Sequence, residues 1–322
     1  MIPRIRFAHL PTAIEAMPRL SAALGGGIRL FIKRDDQTGL AFGGNKTRKL
    51  EYVLAEAQAH GAKALVTCGA VQSNHCRQTA ALAARYGLKC YLVLAGEPEL
   101  APSGNYLLDQ FFGAEIIWCS PEQRDTRLRE VFLQARDAGL RPFEIPLGAS
   151  TPTGALGYVN AFKEFSKQKC EVDWMVLASS SGGTQAGLVV GAVQENWNGK
   201  ILGVSVDHTA PVLQSIVCGI TNQVFSKLDM PDKITPESIL VEDRFAAPGY
   251  GVLTHVEKEA IQLFAKWEGI LIDPVYTGRA AAGLIEAIRN GRIESGQSVL
   301  FWHTGGTPSL FASRYSQDLL SD

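Results

Sequence analysis

Lys46, Arg48 and Lys49 crowd the stretch Gly43-Gly44-Asn45-Lys46-Thr47-Arg48-Lys49-Leu50. The glycine pair ends in Asn45, a residue type that caps helix N-termini, and Leu50, Val53, Leu54 and Ala57 recur at helical spacing, so a helix is predicted from about Lys46. Three cations in a first turn oppose the positive end of the helix dipole, at roughly 0.3 kcal/mol or more each. A nearby anion would reverse that sign. Lys46 and Lys49 lie three apart on one face, which suits one amine for chemistry on a ligand and the other for the ligand's negative charge. A solvated basic helix start is the alternative reading.

Four more stretches carry chemistry, each beside an apolar run. Trp174 to Ala178 leads into Ser179-Ser180-Ser181-Gly182-Gly183-Thr184-Gln185-Ala186-Gly187, a small-residue turn whose backbone N–H groups suit a phosphate. It is neither a Walker A loop nor G-x-G-x-x-G, although Asp207, about twenty residues on, keeps a dinucleotide-binding oxidoreductase as a remote alternative. Ala64 to Cys68 opens into Gly69-Ala70-Val71-Gln72-Ser73-Asn74-His75-Cys76-Arg77, where Ser73 or Asn74 either caps a helix or meets substrate, and His75 either packs or reacts. Asp273-Pro274-Val275-Tyr276-Thr277-Gly278 and His303-Thr304-Gly305-Gly306-Thr307 complete the set. Tyr250, in Ala247-Pro248-Gly249-Tyr250-Gly251, sits in a glycine-rich loop.

The elements that position these stretches alternate. Strands at about 28–33, 64–68, 90–94, 115–119 and 142–146 alternate with helices from about 46, 74–86, 106–112 and 125–138. After 148–154 come a helix of about fifteen residues, strands at 174–178 and 201–206, a helix at about 255–268, and strands at 270–275 and 298–302. Residues 1–27 read as an irregular opening segment. Such alternation implies parallel sheets covered by helices, in two α/β units: 1–45 with 155–322 as the larger, and 46–154 inserted as the smaller. Ligands in such sheets bind at the carboxyl ends of the strands, where all the stretches above fall.

Composition narrows the function. With 322 residues, 46% of them hydrophobic, the chain is about two domains long at roughly 150 residues each. Lys plus Arg number 31 against 32 Asp plus Glu, so no global field favours nucleic acid or anionic membrane, and a small-molecule substrate is expected. No apolar run is long enough for a membrane span, and the N-terminal residues lack the apolar segment of a secretory signal, so a cytoplasmic location is expected. The six cysteines lack metal-site spacing and read as reduced thiols; no metal is expected.

Taken together, Gly-Gly-Asn-Lys-Thr-Arg-Lys (43–49), Gln-Ser-Asn-His (72–75), Ser-Gly-Gly-Thr-Gln-Ala-Gly (181–187), Pro-Gly-Tyr-Gly (248–251), Val-Tyr-Thr-Gly (275–278) and His-Thr-Gly-Gly (303–306) resemble the D-cysteine desulfhydrase and 1-aminocyclopropane-1-carboxylate (ACC) deaminase family. Six motifs in order span nearly the whole chain. The resemblance implies a fold type II pyridoxal 5'-phosphate (PLP) enzyme, similar to tryptophan synthase β, with two open, mostly parallel twisted sheets, helices on both faces and the cofactor between the domains. It implies that Lys46 forms the Schiff-base link and Asn74 binds the ring's phenolic oxygen. Lys49 and the backbone of Ser181, Gly182, Gly183 and Thr184 would hold the phosphate, and Thr304 would approach the pyridine nitrogen. Ser73, Asn74, His75, Tyr250 and Tyr276 would face substrate, with Ser73 and both tyrosines catalytic beside Lys46. The deaminases carry Tyr-Glu where this chain has Tyr276-Thr277, and His-Leu-Gly-Gly where it has His303-Thr304-Gly305-Gly306. Both differences point to the desulfhydrase branch: α,β-elimination from D-cysteine, with an L-cysteate sulfo-lyase or an ACC deaminase as alternatives. A homodimer is the usual state for the resemblance.

Overall fold

The computed structural model describes residues 2–231, 233–247, 249–316, 318 and 319; Pro248 of the Pro-Gly-Tyr-Gly run lies outside them. In chain order the elements are β1 (Ile14–Ala16), α1 (Pro18–Ala23), β2 (Arg29–Lys33), α2 (Asn45–Ala59), β3 (Ala64–Ala70), α3 (Asn74–Tyr86), β4 (Lys89–Ala95), α4 (Gly104–Phe111), β5 (Glu115–Cys119), α5 (Arg124–Asp137) and β6 (Pro142–Glu144). Then follow α6 (Pro152–Lys167), β7 (Trp174–Ser179), α7 (Gly183–Gln194), β8 (Lys200–Ser205), α8 (Ala210–Lys227), β9 (Leu240–Glu242), α9 (His255–Glu268), α10 (Thr277–Arg289), β10 (Ser298–Trp302) and α11 (Ser313–Ser316). One sheet has the order β1-β2-β10-β7-β8-β9, parallel except for β1; the other, β5-β4-β3-β6, is wholly parallel.

Both sheets are covered on both faces, which is why their strands are nearly continuous apolar runs. Along β10, Val299 and Phe301 pack with α9 and α10 residues, whereas Leu300 and Trp302 face the cluster built by Tyr158, Phe162 and Leu188 of α6 and α7. In β4, Leu92 and Leu94 join the core under α2 and α3, and Val93 packs against Leu128 and Val131 of α5. The sheets meet through α2 against α6. Gly157 permits that approach: a Cβ there would lie 2.5 Å from the Arg48 carbonyl oxygen.

Several local expectations change. Asn45 is not a side-chain cap; the helix already includes it, Gly44 precedes it at φ +122°, and the Asn45 amide instead donates to the Thr184 hydroxyl at 2.9 Å. Residues 270–275 form no strand. Pro274 has no N–H for a ladder, and the Asp273 carboxylate takes the N–H groups of Val275, Tyr276 and Thr277 at 3.0, 2.9 and 2.7 Å. The opening segment is more regular than its prolines suggest, since β1 pairs antiparallel with β2 and α1 follows. All six cysteines are free thiols.

Candidate active site

The carboxyl ends of β3, β7, β8 and β10 converge on a cleft of about 650 Å³ between the two sheets. Its wall includes Lys46, Ser73, Asn74, His75, Ser181, Gly182, Thr184, Tyr250, Tyr276 and Thr304. Lys49 and Gly183 lie behind that wall.

Lys46 is placed by the first turn of α2, which is tied at its start: Asn45 N–H donates to the Thr304 carbonyl at 3.0 Å and the Asn45 side chain reaches Thr184. Arg48 points the other way, into a buried network with Asp35 and Glu164 at 2.8 and 2.9 Å. The crowded cations therefore divide, with Arg48 answered by protein carboxylates. Lys46 and Lys49 remain, and among the described residues neither has a carboxylate within ion-pairing range; nor does Arg77, fully buried behind the wall near the start of α3. Burial, then the Arg77 charge, hold the Lys46 ammonium down to about 8, against a smaller opposing pull from Asp273. Burial and then the charge of Lys46 push Lys49 well below an ordinary lysine.

Lys49 donates to the Gly148 carbonyl and the Ser150 hydroxyl, both at 3.1 Å. Ser150 Oγ lies 2.7 Å from Ser181 Oγ and accepts the Gly183 N–H at 3.2 Å, so it couples the lysine to the turn between β7 and α7. Gly182 there has φ +79°, and the first turn of α7 offers N–H groups without intrahelical acceptors. Ser150 was missed at the sequence level, and only its place in a Gly/Ser/Thr-rich connection hinted at it.

Asn74 opens α3, and Ser73 is that helix's N-cap, accepting the Cys76 N–H at 3.2 Å. Both residues still reach the cleft. His75 Nε2 lies 2.9 Å from the Thr67 hydroxyl, which itself donates to the Ile145 carbonyl at 2.6 Å; the hydroxyl must then accept from Nε2–H, leaving Nδ1 unprotonated. Burial, with the charges of Lys46 and Lys49, drives its pKa well below the usual value, so the ring is neutral. Opposite, the Tyr250 and Tyr276 hydroxyls are 2.7 Å apart, and the Lys46 amine lies 5.5 Å from the Tyr276 ring centroid. Burial raises both phenols, so both are protonated. Thr277 is not on the wall: its hydroxyl is bound to Asp273 at 2.7 Å. His303 donates from Nε2 to the Leu271 carbonyl at 3.0 Å, which fixes the loop carrying Thr304.

The donor set suits a phosphorylated aldehyde: an amine of lowered proton affinity, unpaired buried cations and a helix N-terminus. The pyridoxal-phosphate dependent enzyme family matches residues 5–305. A solved structure described as an ACC deaminase homologue is 36% identical, covering 99% of this chain and 96% of its own, with a TM-score of 0.91. A fungal L-serine ammonia-lyase from Rhizomucor miehei shares the fold at 16% identity (97% and 98% covered, TM-score 0.70). So does threonine deaminase isoform 2 from Solanum lycopersicum at 14% identity (97% and 82%, TM-score 0.67). Asp207, the candidate ribose acid, accepts the Ser180 hydroxyl at 2.8 Å, and the match at residues 5–305 replaces the dinucleotide reading. The chain therefore belongs to the pyridoxal-phosphate dependent enzyme family, on the fold type II scaffold and among the relatives of ACC deaminase and D-cysteine desulfhydrase.

Proposed function

We propose that the protein is a carbon–sulfur lyase that takes D-cysteine and water to pyruvate, ammonia and sulfide. Lys46 would carry the cofactor, with Ser181 to Thr184 holding its phosphate, backed by Lys49 through Ser150; Asn74 would donate to its phenolic oxygen and Thr304 would serve its ring nitrogen. When bound, PLP supplies the electron sink for charge that develops at Cα. Lys46, of lowered proton affinity, takes the Cα proton. Ser73 and Asn74 hold the substrate, and the Tyr250–Tyr276 pair, protonated and joined through its hydroxyls, positions the departing β-group. His75, neutral and tied to Thr67, lines the substrate side without taking a charge.

Supporting this over ACC deamination is the chemistry at the two positions that part this chain from the deaminases. Thr304 and Thr277 both carry neutral hydroxyls, and that of Thr277 is engaged by Asp273. A carboxylate at the ring nitrogen would favour its protonated form. A neutral hydroxyl leaves a weaker sink, which suffices for a thiolate that leaves as the proton is taken. We also take residues 46–154 as a smaller domain and the chain as a homodimer, for which a solution mass twice that of the chain is the check.

The test measures pyruvate, 2-oxobutyrate and ammonia from D-cysteine, L-cysteine, L-cysteate and ACC, after borohydride has been shown to fix the cofactor to Lys46. D-cysteine is expected to turn over fastest. Rapid turnover of L-cysteate or ACC beside an inert D-cysteine would overturn the assignment.

A further inference from the structure

Arg77 is fully buried one turn into α3, yet its donors go to neutral acceptors. Nη1 donates to Asn74 Oδ1 at 3.0 Å and Asn105 Oδ1 at 2.8 Å, Nη2 donates to the Gly43 carbonyl at 2.9 Å, and Nε has no partner. Guanidinium only donates, so the Asn74 atom facing it is the oxygen; Asn105 Nδ2 donates to that same oxygen at 3.0 Å. With its oxygen taken twice, the Asn74 carboxamide has its NH₂ left to offer. Asp109 does not neutralise the arginine: burial raises that carboxyl well above the usual range, and neither of its oxygens has a hydrogen-bond partner.

We propose that Arg77 is a positioning residue of this site, clamping Asn74 with its NH₂ toward the cofactor's phenolic oxygen and holding an unneutralised positive charge behind the wall that carries Lys46. The proposal rests on the assignment of Lys46 and Asn74 to the cofactor. After burial, Arg77 is the strongest influence lowering the Lys46 amine's proton affinity. The other groups facing that amine do not replace it. Lys49 on its own helix and His75 on α3 are both displaced toward neutrality, Tyr276 is protonated, and Asp273, before α10, acts in the opposite sense while accepting three backbone N–H groups and a hydroxyl.

The experiment follows the rate at which full-length, cofactor-stripped protein takes up PLP as a function of pH, and then how fast the loaded protein loses it on dialysis. Arg77→Gln is expected to move the midpoint of the uptake profile up by about one pH unit, roughly a tenfold slower uptake at pH 7. Arg77→Lys keeps the charge but not the fork, so its midpoint stays at the wild-type value while it loses PLP as fast as Asn74→Ala. An Arg77→Gln midpoint equal to the wild type overturns the charge role, and wild-type retention in Arg77→Lys overturns the clamp. Borohydride labelling away from Lys46 in the wild type would instead refute the underlying assignment.

Discussion

Ser73 accepts the Cys76 N–H at 3.2 Å as a helix cap and also lines the cleft, so its hydroxyl proton remains free for substrate. The capping bond alone predicts that Ser73→Ala costs about 1 kcal/mol of stability. A hydroxyl that also positions substrate predicts a further loss of about 10²- to 10⁴-fold in kcat/KM per folded molecule. Assaying the variant beside its melting temperature separates the two, and a lowered Tm with unchanged turnover would leave only the cap. Residues of this kind were legible in the sequence because they cluster where apolar runs break into small and polar residues. Ser150 and Arg77 were not, because what makes them matter is tertiary. Ser150 meets Lys49 from 101 positions away, and Arg77, which ends the Gly69 to Arg77 stretch without a role of its own there, acquires one only when Asn105 and Gly43 close around it.

Helix α2 presents Lys46 to the cleft while Arg48 anchors it from behind, and that anchoring sets an acid limit. Burial alone would raise the Asp35 carboxyl, but the Arg48 charge and hydrogen bonds, with Lys33 and Trp302, outweigh it and hold the group at about 2 rather than 3.8. A folded-state pKa below the unfolded one contributes stability above 3.8 that is lost as pH falls toward 2. Asp35→Asn leaves Arg48 with Glu164 as its one carboxylate partner and is expected to cost about 3–5 kcal/mol near neutrality. The gap between variant and wild type in denaturant unfolding should narrow by about 1 kcal/mol between about pH 5 and pH 3. A gap that stays constant would show that Asp35 is not the titrating group. At this scale the alternation of strands and helices was readable from periodicity, but α8 was not assigned at all. Val212, Ile216, Val217, Ile220, Thr221 and Val224 give it a β-branched composition of modest helix propensity, which burial of Leu213, Val217, Thr221, Val224 and Phe225 overrides.

The cleft wall carries both signs, with Glu97, Glu99 and Asp207 on it beside Lys46, Arg124 and Arg314, but the buried cations gather near the starts of α2 and α3. Lys46, Lys49 and Arg77 are buried there without carboxylate partners among the described residues, so the cofactor-free protein holds a repulsive cluster at the seam between its halves. An anion that enters the turn at Ser181 to Thr184 relieves that repulsion, and whatever binds only the folded chain stabilises it in proportion to ln(1 + [L]/Kd), about 2.7 kcal/mol at a hundredfold excess over Kd. Inorganic phosphate alone should therefore raise the Tm of the stripped protein, by a few degrees at saturation given the chain's length. The gain should shrink with added chloride, because part of it is electrostatic. Lys49→Met tests the origin of the effect. Lys49 meets the turn through Ser150 and sits behind the cleft wall, so its loss should abolish most of the phosphate gain while raising the Tm in phosphate-free buffer, since a buried amine whose charged form burial disfavours is gone. A variant that melts lower without phosphate, yet responds to it as strongly as the wild type, would show that Lys49 is a packing residue and that the anion is held by the backbone turn alone.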